Sequence, residues 1–272
     1  SRFNAKDRWT APVIGGGAAT AGLSVFLFYI FGGLPIQATT FTRLGLEPSE
    51  ASGWMFITWL PTGVMSLIVP LRYRQPASVN LTVPGMVFLG TMAGDFTLSQ
   101  MLGASLVAGV AITLMGLLGI TDRIARWVPF PLVLGMLSGS LFALITASVE
   151  ATFSDLAVPG IAVAAYFVAR SSSAIKVHPL IVAVLAGTVT TFATGGLGGG
   201  PVSMALPQVS APSFEFTPAA TIAIALPLVL LTAGLGNPQA FGLLRANGYR
   251  PMTGQLAILA GLTSIVNALG GG

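Results

Sequence analysis

Long apolar stretches recur along the chain, separated by short breaks that collect the charges, prolines and glycines. A membrane helix needs roughly 20 apolar residues at 1.5 Å rise each. Nine stretches of about that length are predicted, at approximately 11–40, 52–71, 77–93, 98–120, 129–149, 156–169, 178–194, 218–236 and 252–270. The sixth is short for a span, and the third is interrupted by Pro84-Gly85. The first run is too long for a cleavable signal peptide and is followed by further spans.

The cations test this division, because cytoplasmic loops are enriched in Lys and Arg. With the N-terminus cytoplasmic, Arg2, Lys6, Arg8, Arg72, Arg74, Arg123, Arg126, Arg170, Lys176, Arg245 and Arg250 fall on one side, eleven of the twelve. The exception, Arg43, shares its loop with Glu47 and Glu50, and the other external connections carry Asp95, Glu150, Asp155 and Glu215.

Two segments echo each other: Phe31-Gly-Gly-Leu-Pro-Ile-Gln-Ala38 and Leu235-Gly-Asn-Pro-Gln-Ala240, each expected at the far end of a long apolar helix. Chance similarity in a Gly- and Pro-rich chain is one reading. The predicted topology supports a repeat, since the first span runs outward and the eighth inward. Seven spans separate the two points, and an odd-numbered repeat inverts in the membrane, an arrangement common to secondary transporters.

The third segment, from Gln75 to Leu89, starts with polar and β-branched residues and turns apolar after Pro84. Proline is favoured in the first turn of a helix and pushes its predecessor toward extended geometry, so a half-helix starting near Pro84 is predicted. At membrane depth its free amides and dipole would attract an anion such as a carboxylate. A Pro-kinked span, with Asn80 and Thr82 bonding neighbouring helices, is the alternative.

Composition narrows the chemistry. Only 7% of the 272 residues are charged and 54% are hydrophobic, against roughly 25% charged in a soluble domain. The net charge of +4 is explained by loop positions, which argues against a nucleic-acid partner. With no Cys and one His, a thiolate or metal cluster is excluded or improbable, which disfavours a membrane enzyme, and no cofactor is predicted. The run Gly195-Gly-Leu-Gly-Gly-Gly200 lacks the Lys-Ser/Thr of a phosphate loop and reads as a flexible external loop. His178, beside Lys176 and Pro179, reads as an interfacial helix-start residue.

Gly236-Asn-Pro-Gln239, followed by Leu244-Arg-Ala-Asn-Gly-Tyr-Arg-Pro251, resembles the benzoate:proton symporter family, as do the Pro84-Gly85 half-helix and the Gly119–Pro131 stretch. The resemblance covers the whole chain. It implies kinship with nucleobase-ascorbate and sulfate transporters and an all-α integral membrane fold of two inverted seven-span repeats, with about nine of fourteen spans present here. It divides the chain into core residues 1–126, gate residues 127–200 and further core residues 201–272. It places substrate in the core between two half-helices. The 203-residue offset between Pro35 and Pro238, applied to Pro84, puts the second half-helix near position 287, after the last residue.

The implied function is import of benzoate or a related aromatic carboxylate by proton symport, with core-against-gate alternating access in a bacterial inner membrane. A homodimer is compatible with related folds. The implied substrate contacts are Tyr29, Phe31, Thr82, Val83, Pro84, Gly85, Met86, Asn237 and Gln239. Aromatic rings suit the flat face of an aromatic acid, while helix amides and Asn/Gln donors suit its carboxylate. For Tyr29 and Phe31, core packing or lipid exposure is the alternative.

A symporter needs a proton carrier, and Asp95 and Glu150 are the candidates, with solvated loop charges as the alternative reading. The helix-eight position where nucleobase relatives carry a glutamate is uncharged here, near Gly234, which disfavours the alternative of a nucleobase permease. A truncated, non-transporting membrane protein is the other alternative.

Overall fold

The computed structural model describes residues 16–80, 82–127, 156–172, 177–196 and 212–271, with positions 131, 135, 142, 146, 149, 150, 152, 153 and 207 between them. Among these residues the regular structure is helical, without strands. They fall into two compact units. One takes 36–127 and 212–271, and the other 16–35, 156–172 and 177–196.

In chain order the helices are α1 (Gly16–Phe28), the π-helical turn π1 (Tyr29–Gly33), α2 (Leu34–Arg43), α3 (Pro48–Tyr73), α4 (Val83–Thr91), α5 (Leu98–Leu117) and α6 (Ile120–Trp127). After them come π2 (Leu156–Gly160), α7 (Ile161–Ser171), α8 (Pro179–Ala193), α9 (Pro218–Ala220), π3 (Thr221–Ala225), α10 (Leu226–Leu230), π4 (Leu231–Gly236), α11 (Asn237–Ala246) and α12 (Thr253–Leu269). Among the described residues four helices are long and apolar enough to cross a membrane: Gly22–Arg43, Pro48–Tyr73, Leu98–Leu117 and Pro218–Ala246. Three shorter apolar helices are Leu156–Ser171, Pro179–Ala193 and Thr253–Leu269. Leu67, Leu71, Leu117, Ile222 and Leu230 present large apolar side chains outward. Water would not tolerate so much exposed hydrocarbon, whereas lipid does, and the chain is an integral membrane protein. The predicted fifth span lies largely outside the described residues, as do positions 197–200 of the glycine run.

The core of the first unit is the α5–α12 pair, closed by glycines from both helices. A Cβ at Gly116 would fall 2.9 Å from Gly254 O, one at Gly109 3.2 Å from Gly261 O, and one at Gly261 2.8 Å from Gly109 O. Small residues allow backbones to touch in this way, which is the main source of helix association where no hydrophobic drive exists. On its other face α5 buries Met101, Ala104 and Ala108 against Ala220, Ile224 and Ala225.

The two ends of this unit differ in charge. At one, Gln75 Nε2 donates to Arg250 O at 2.6 Å, and Asp122 on α6 caps α12 by accepting from Thr253 Oγ1 and, at 3.1 Å, from Gly254 N. Arg72, Arg74, Arg123 and Arg250 belong to this end. At the other, Glu215 N donates to Ser99 O at 3.1 Å and Gln100 Nε2 to Glu215 Oε1 at 3.0 Å. Within this unit, Arg72, Arg74, Arg123 and Arg250 thus lie at the end away from Glu215.

In the second unit, α8 packs against α1 and α7. His178 is the N-cap of α8, its Nδ1 accepting from Leu180 N at 3.3 Å, in keeping with the predicted helix-start role.

The echoed segments are not at helix ends. Both lie inside continuous helices, which run on to Arg43 and Ala246. Each is a π-to-α transition: Leu34 N donates to Tyr29 O and Asn237 N to Thr232 O, both five residues back, and Pro35 and Pro238 follow. Proline has no N–H and its ring crowds the carbonyl four residues back, so widening the preceding turn relieves the clash. Proline alone does not force this, because Pro61 and Pro70 sit within α3. Donor and acceptor in the two transitions are offset by the same 203 residues as the prolines.

Candidate functional site

Chain direction changes abruptly after α3. Arg74 closes that helix in the left-handed region (φ 51°), and residues 75–80 form no regular structure. Ser66 Oγ on α3 holds this segment by donating to Val79 O at 3.1 Å. Helix then resumes at Val83. Thr82 is its N-cap (φ −82°, ψ 116°), with Thr82 Oγ1 accepting from Gly85 N at 3.1 Å and Thr82 O accepting from Met86 N at 3.0 Å. The nine-residue α4 is thus the half-helix expected from Pro84, which occupies its first turn.

The N-terminus of α4 opens on a cavity of about 120 Å³ within the first unit. Val79, Asn80, Thr82, Gly85, Met86 and Leu89 form one wall, with Trp54 and Thr62 from α3. Ser105, Ala108, Gly109 and Ile112 come from α5, Leu228 and Thr232 from the Pro218–Ala246 helix, and Ala260, Thr263, Ser264 and Asn267 from α12. Trp54, Met86, Leu89, Ala108, Ile112 and Leu228 supply apolar surface, and hydroxyls and amides the rest. None of these lining residues is charged.

Trp54 is itself braced. It packs on Phe41 with ring centroids 4.8 Å apart and, with Met86, forms a small buried cluster. Thr40 Oγ1 reaches Met86 O at 3.4 Å, which ties α2 to the half-helix. Gly236 stands beside the cap, where a Cβ would lie 3.8 Å from Thr82 Cγ2, so π4 runs past the start of α4.

Of the residues singled out from the sequence, Thr82, Gly85 and Met86 line the cavity, while Val83 and Pro84 face outward. Asn237 and Gln239 are half-buried on α11 and are not part of the lining. The Asn237 amide nitrogen is buried and has no hydrogen-bond partner among the described residues. Tyr29 and Phe31 belong to the other unit, with Tyr29 half-buried edge-on to Phe28 at 5.8 Å and Phe31 exposed. Asp95 is exposed in the turn after α4, and Glu150 is exposed in the second unit.

Sequence reading missed Trp54, Thr62, Ser105, Thr232, Thr263, Ser264 and Asn267. Polar residues inside uncharged spans were the available signal, though such residues equally bond their own helix backbones.

The first turn of α4 has fewer free donors than a bare helix start. Pro84 has no N–H, Gly85 N is taken by Thr82 Oγ1 and Met86 N by Thr82 O, so Val83 N is the amide of that turn without an intrahelical acceptor. The cavity can therefore hold a small, partly flat, apolar molecule with a polar end, but it offers that end neutral hydrogen-bonding groups rather than a counter-charge.

The family model described as benzoate membrane transport protein matches residues 14–272. Among curated proteins, the inner membrane protein YdcO of Escherichia coli K12 is 27% identical over 224 residues, covering 82% of this chain and 56% of that protein. The benzoate membrane transport protein of Acinetobacter baylyi is 23% identical over 257 residues, covering 94% of this chain and 64% of that protein. The chain thus spans little more than half the length of the curated relatives it matches. No solved structure matches.

Proposed function

The chain belongs to the benzoate membrane transport protein family, and on that premise we propose that it carries the substrate cavity of a secondary transporter that imports benzoate or a related aromatic carboxylate with a proton. The observation behind this reading is the capped half-helix α4, whose N-terminus opens on a cavity flanked by Trp54 and Met86. The indole and thioether suit an aromatic ring, and the start of α4 suits a carboxyl group.

The inverted-repeat architecture is part of the proposal. It is supported by the two π-to-α transitions 203 residues apart, each followed by proline. Core-against-gate alternating access is supported by the division of the described residues into two units, although α1 clusters with 156–196 rather than with the cavity-bearing unit. A cytoplasmic N-terminus is supported by the gathering of cations at one end of the first unit, and an inner-membrane location by the name of the Escherichia coli relative. In this reading Asn237 and Gln239, on the helix that passes the start of α4, complete the substrate contacts in one state of the cycle.

The test is uptake of radiolabelled benzoate by proteoliposomes containing the full-length native protein under an inward proton gradient. Accumulation that a protonophore abolishes is expected. Absence of benzoate uptake, or uptake blocked by uracil and not by benzoate analogues, would overturn the reading.

A further inference from the structure

The hydrogen-bonding polarity of the cavity distinguishes the two protonation states of a carboxyl group. Along α12, Thr263 Oγ1 donates to Leu259 O at 2.8 Å and Ser264 Oγ donates to Ala260 O at 3.0 Å. Asn267, with its amide nitrogen turned toward the carbonyls around it, donates to Ile57 O at 3.1 Å and Thr263 O at 3.2 Å. All three side chains line the cavity, and all three have their protons engaged by backbone carbonyls. What they present to a ligand is lone pairs. The start of α4 has the opposite character: Thr82 Oγ1 accepts from Gly85 N and keeps its own proton for a ligand.

Of these two walls a carboxylate matches only the α4 side, while the hydroxyls of Thr62, Ser105 and Thr232 between them suit either state. A carboxylate has no proton for the acceptors on α12, and bringing it against them without a donor strips its hydration uncompensated. A carboxylic acid matches both, with its carbonyl oxygen toward Thr82 and its O–H toward Thr263 or Asn267. Among the described residues no charged side chain lines the cavity. α4, α5 and α12 contain no charged residue. Arg43 lies in the last turn of α2 beside Gly90 of α4, Glu50 and Arg72 in the end turns of α3, Arg245 in the last turn of α11, and Asp122 and Arg123 on α6, and none of them lines the cavity.

We propose that the cavity binds the substrate as the neutral acid, so that the co-transported proton is carried on the substrate rather than on a side chain. The O–H bond forms in the external water from carboxylate and proton. It breaks in the internal water and returns both, so charge and atoms balance without a titrating residue of the carrier. This inference rests on the aromatic-carboxylate reading above.

The experiment is calorimetric binding to the full-length native carrier in nanodiscs, from pH 5 to pH 8, with benzoate, benzamide, methyl benzoate and benzenesulfonate. Benzamide, which is neutral and carries a donor, is expected to bind with a pH-independent Kd. The benzoate Kd should weaken about tenfold per pH unit as its protonated fraction falls. Methyl benzoate, which has no donor, should bind more weakly than benzamide, and benzenesulfonate should not bind. Thr263→Val, which keeps the shape and loses the acceptor, should weaken benzamide about three- to tenfold. Because that hydroxyl bonds only within its own helix, the variant should fold. Benzoate binding that is flat across the pH range, benzenesulfonate binding as well as benzoate, or unchanged benzamide binding by Thr263→Val would each overturn the inference while leaving an aromatic-anion carrier standing. Failure of both benzoate and benzamide to bind at every pH would instead overturn the proposed function, and the inference with it.

Discussion

Two sides of the same cavity are held in contrasting ways. The α5–α12 side is backbone against backbone: Gly109, Gly116, Gly254 and Gly261 remove the side chains that would separate the helices, and Asp122 caps α12 from α6. The α4 side is a nine-residue helix at the end of an irregular segment, held by the Thr82 cap, by Ser66 to Val79, and by the Phe41–Trp54–Met86 cluster. Close packing of small residues distributes stability over many contacts, while the other side depends on a few named ones. The Thr82 donor thus stands on a limb that can adjust, opposite α12 acceptors on a wall that cannot.

The sharpest way to break this contrast is to enlarge a glycine on the rigid side. Gly261→Leu would drive a side chain into Thr113 and the Gly109 carbonyl. Overpacking of this kind costs about 1–3 kcal/mol or more, so a large fall in thermal unfolding temperature in detergent, with loss of a monodisperse elution peak, is expected.

Gly85→Ala comes next. Its Cβ would collide with Thr82 Oγ1, so the cap must open. Ligand binding should fall more than stability does, which a thermal-shift series with and without benzoate would reveal. Comparable losses in both would mean that the α4 side is as much a structural element as the α5–α12 pair.

Thr82→Val removes the cap oxygen while keeping the shape. A cost of about 1 kcal/mol is expected, together with faster hydrogen exchange in residues 83–91 than in 98–117. The smallest expected effect is that of Trp59→Phe, which deletes the Nε1–H to Gln37 Oε1 bond of 2.8 Å between α3 and α2. A loss of about 0.5–1.5 kcal/mol without change in benzoate affinity is expected, because neither residue lines the cavity.

What could be read in advance follows the same division between local and long-range causes. The half-helix was legible because its causes lie within a few residues: Pro84 in the first turn, Thr82 as cap, and a polar segment before them. His178 ahead of Pro179 was legible for the same reason. The 31–38 and 235–240 echo was visible, but its meaning was not. Whether a proline terminates, kinks or widens a helix depends on what packs around it, as the intact α3 with Pro61 and Pro70 shows beside the π-to-α transitions before Pro35 and Pro238.

The sequence by itself determined that this is a multispanning helical membrane protein, that one segment is a half-helix, and which family it resembles. Those properties depend on span-length hydrophobicity, loop cations and short motifs, each a sum over neighbours in the chain. Only the tertiary structure decided which faces of α3, α5 and α12 meet, and so put Trp54, Ser105, Thr263, Ser264 and Asn267 around one cavity. The physical reason is that a helix in lipid is apolar on every side. Its buried face is selected by glycine contacts with a partner helix far away in sequence, so no periodicity in the chain marks it.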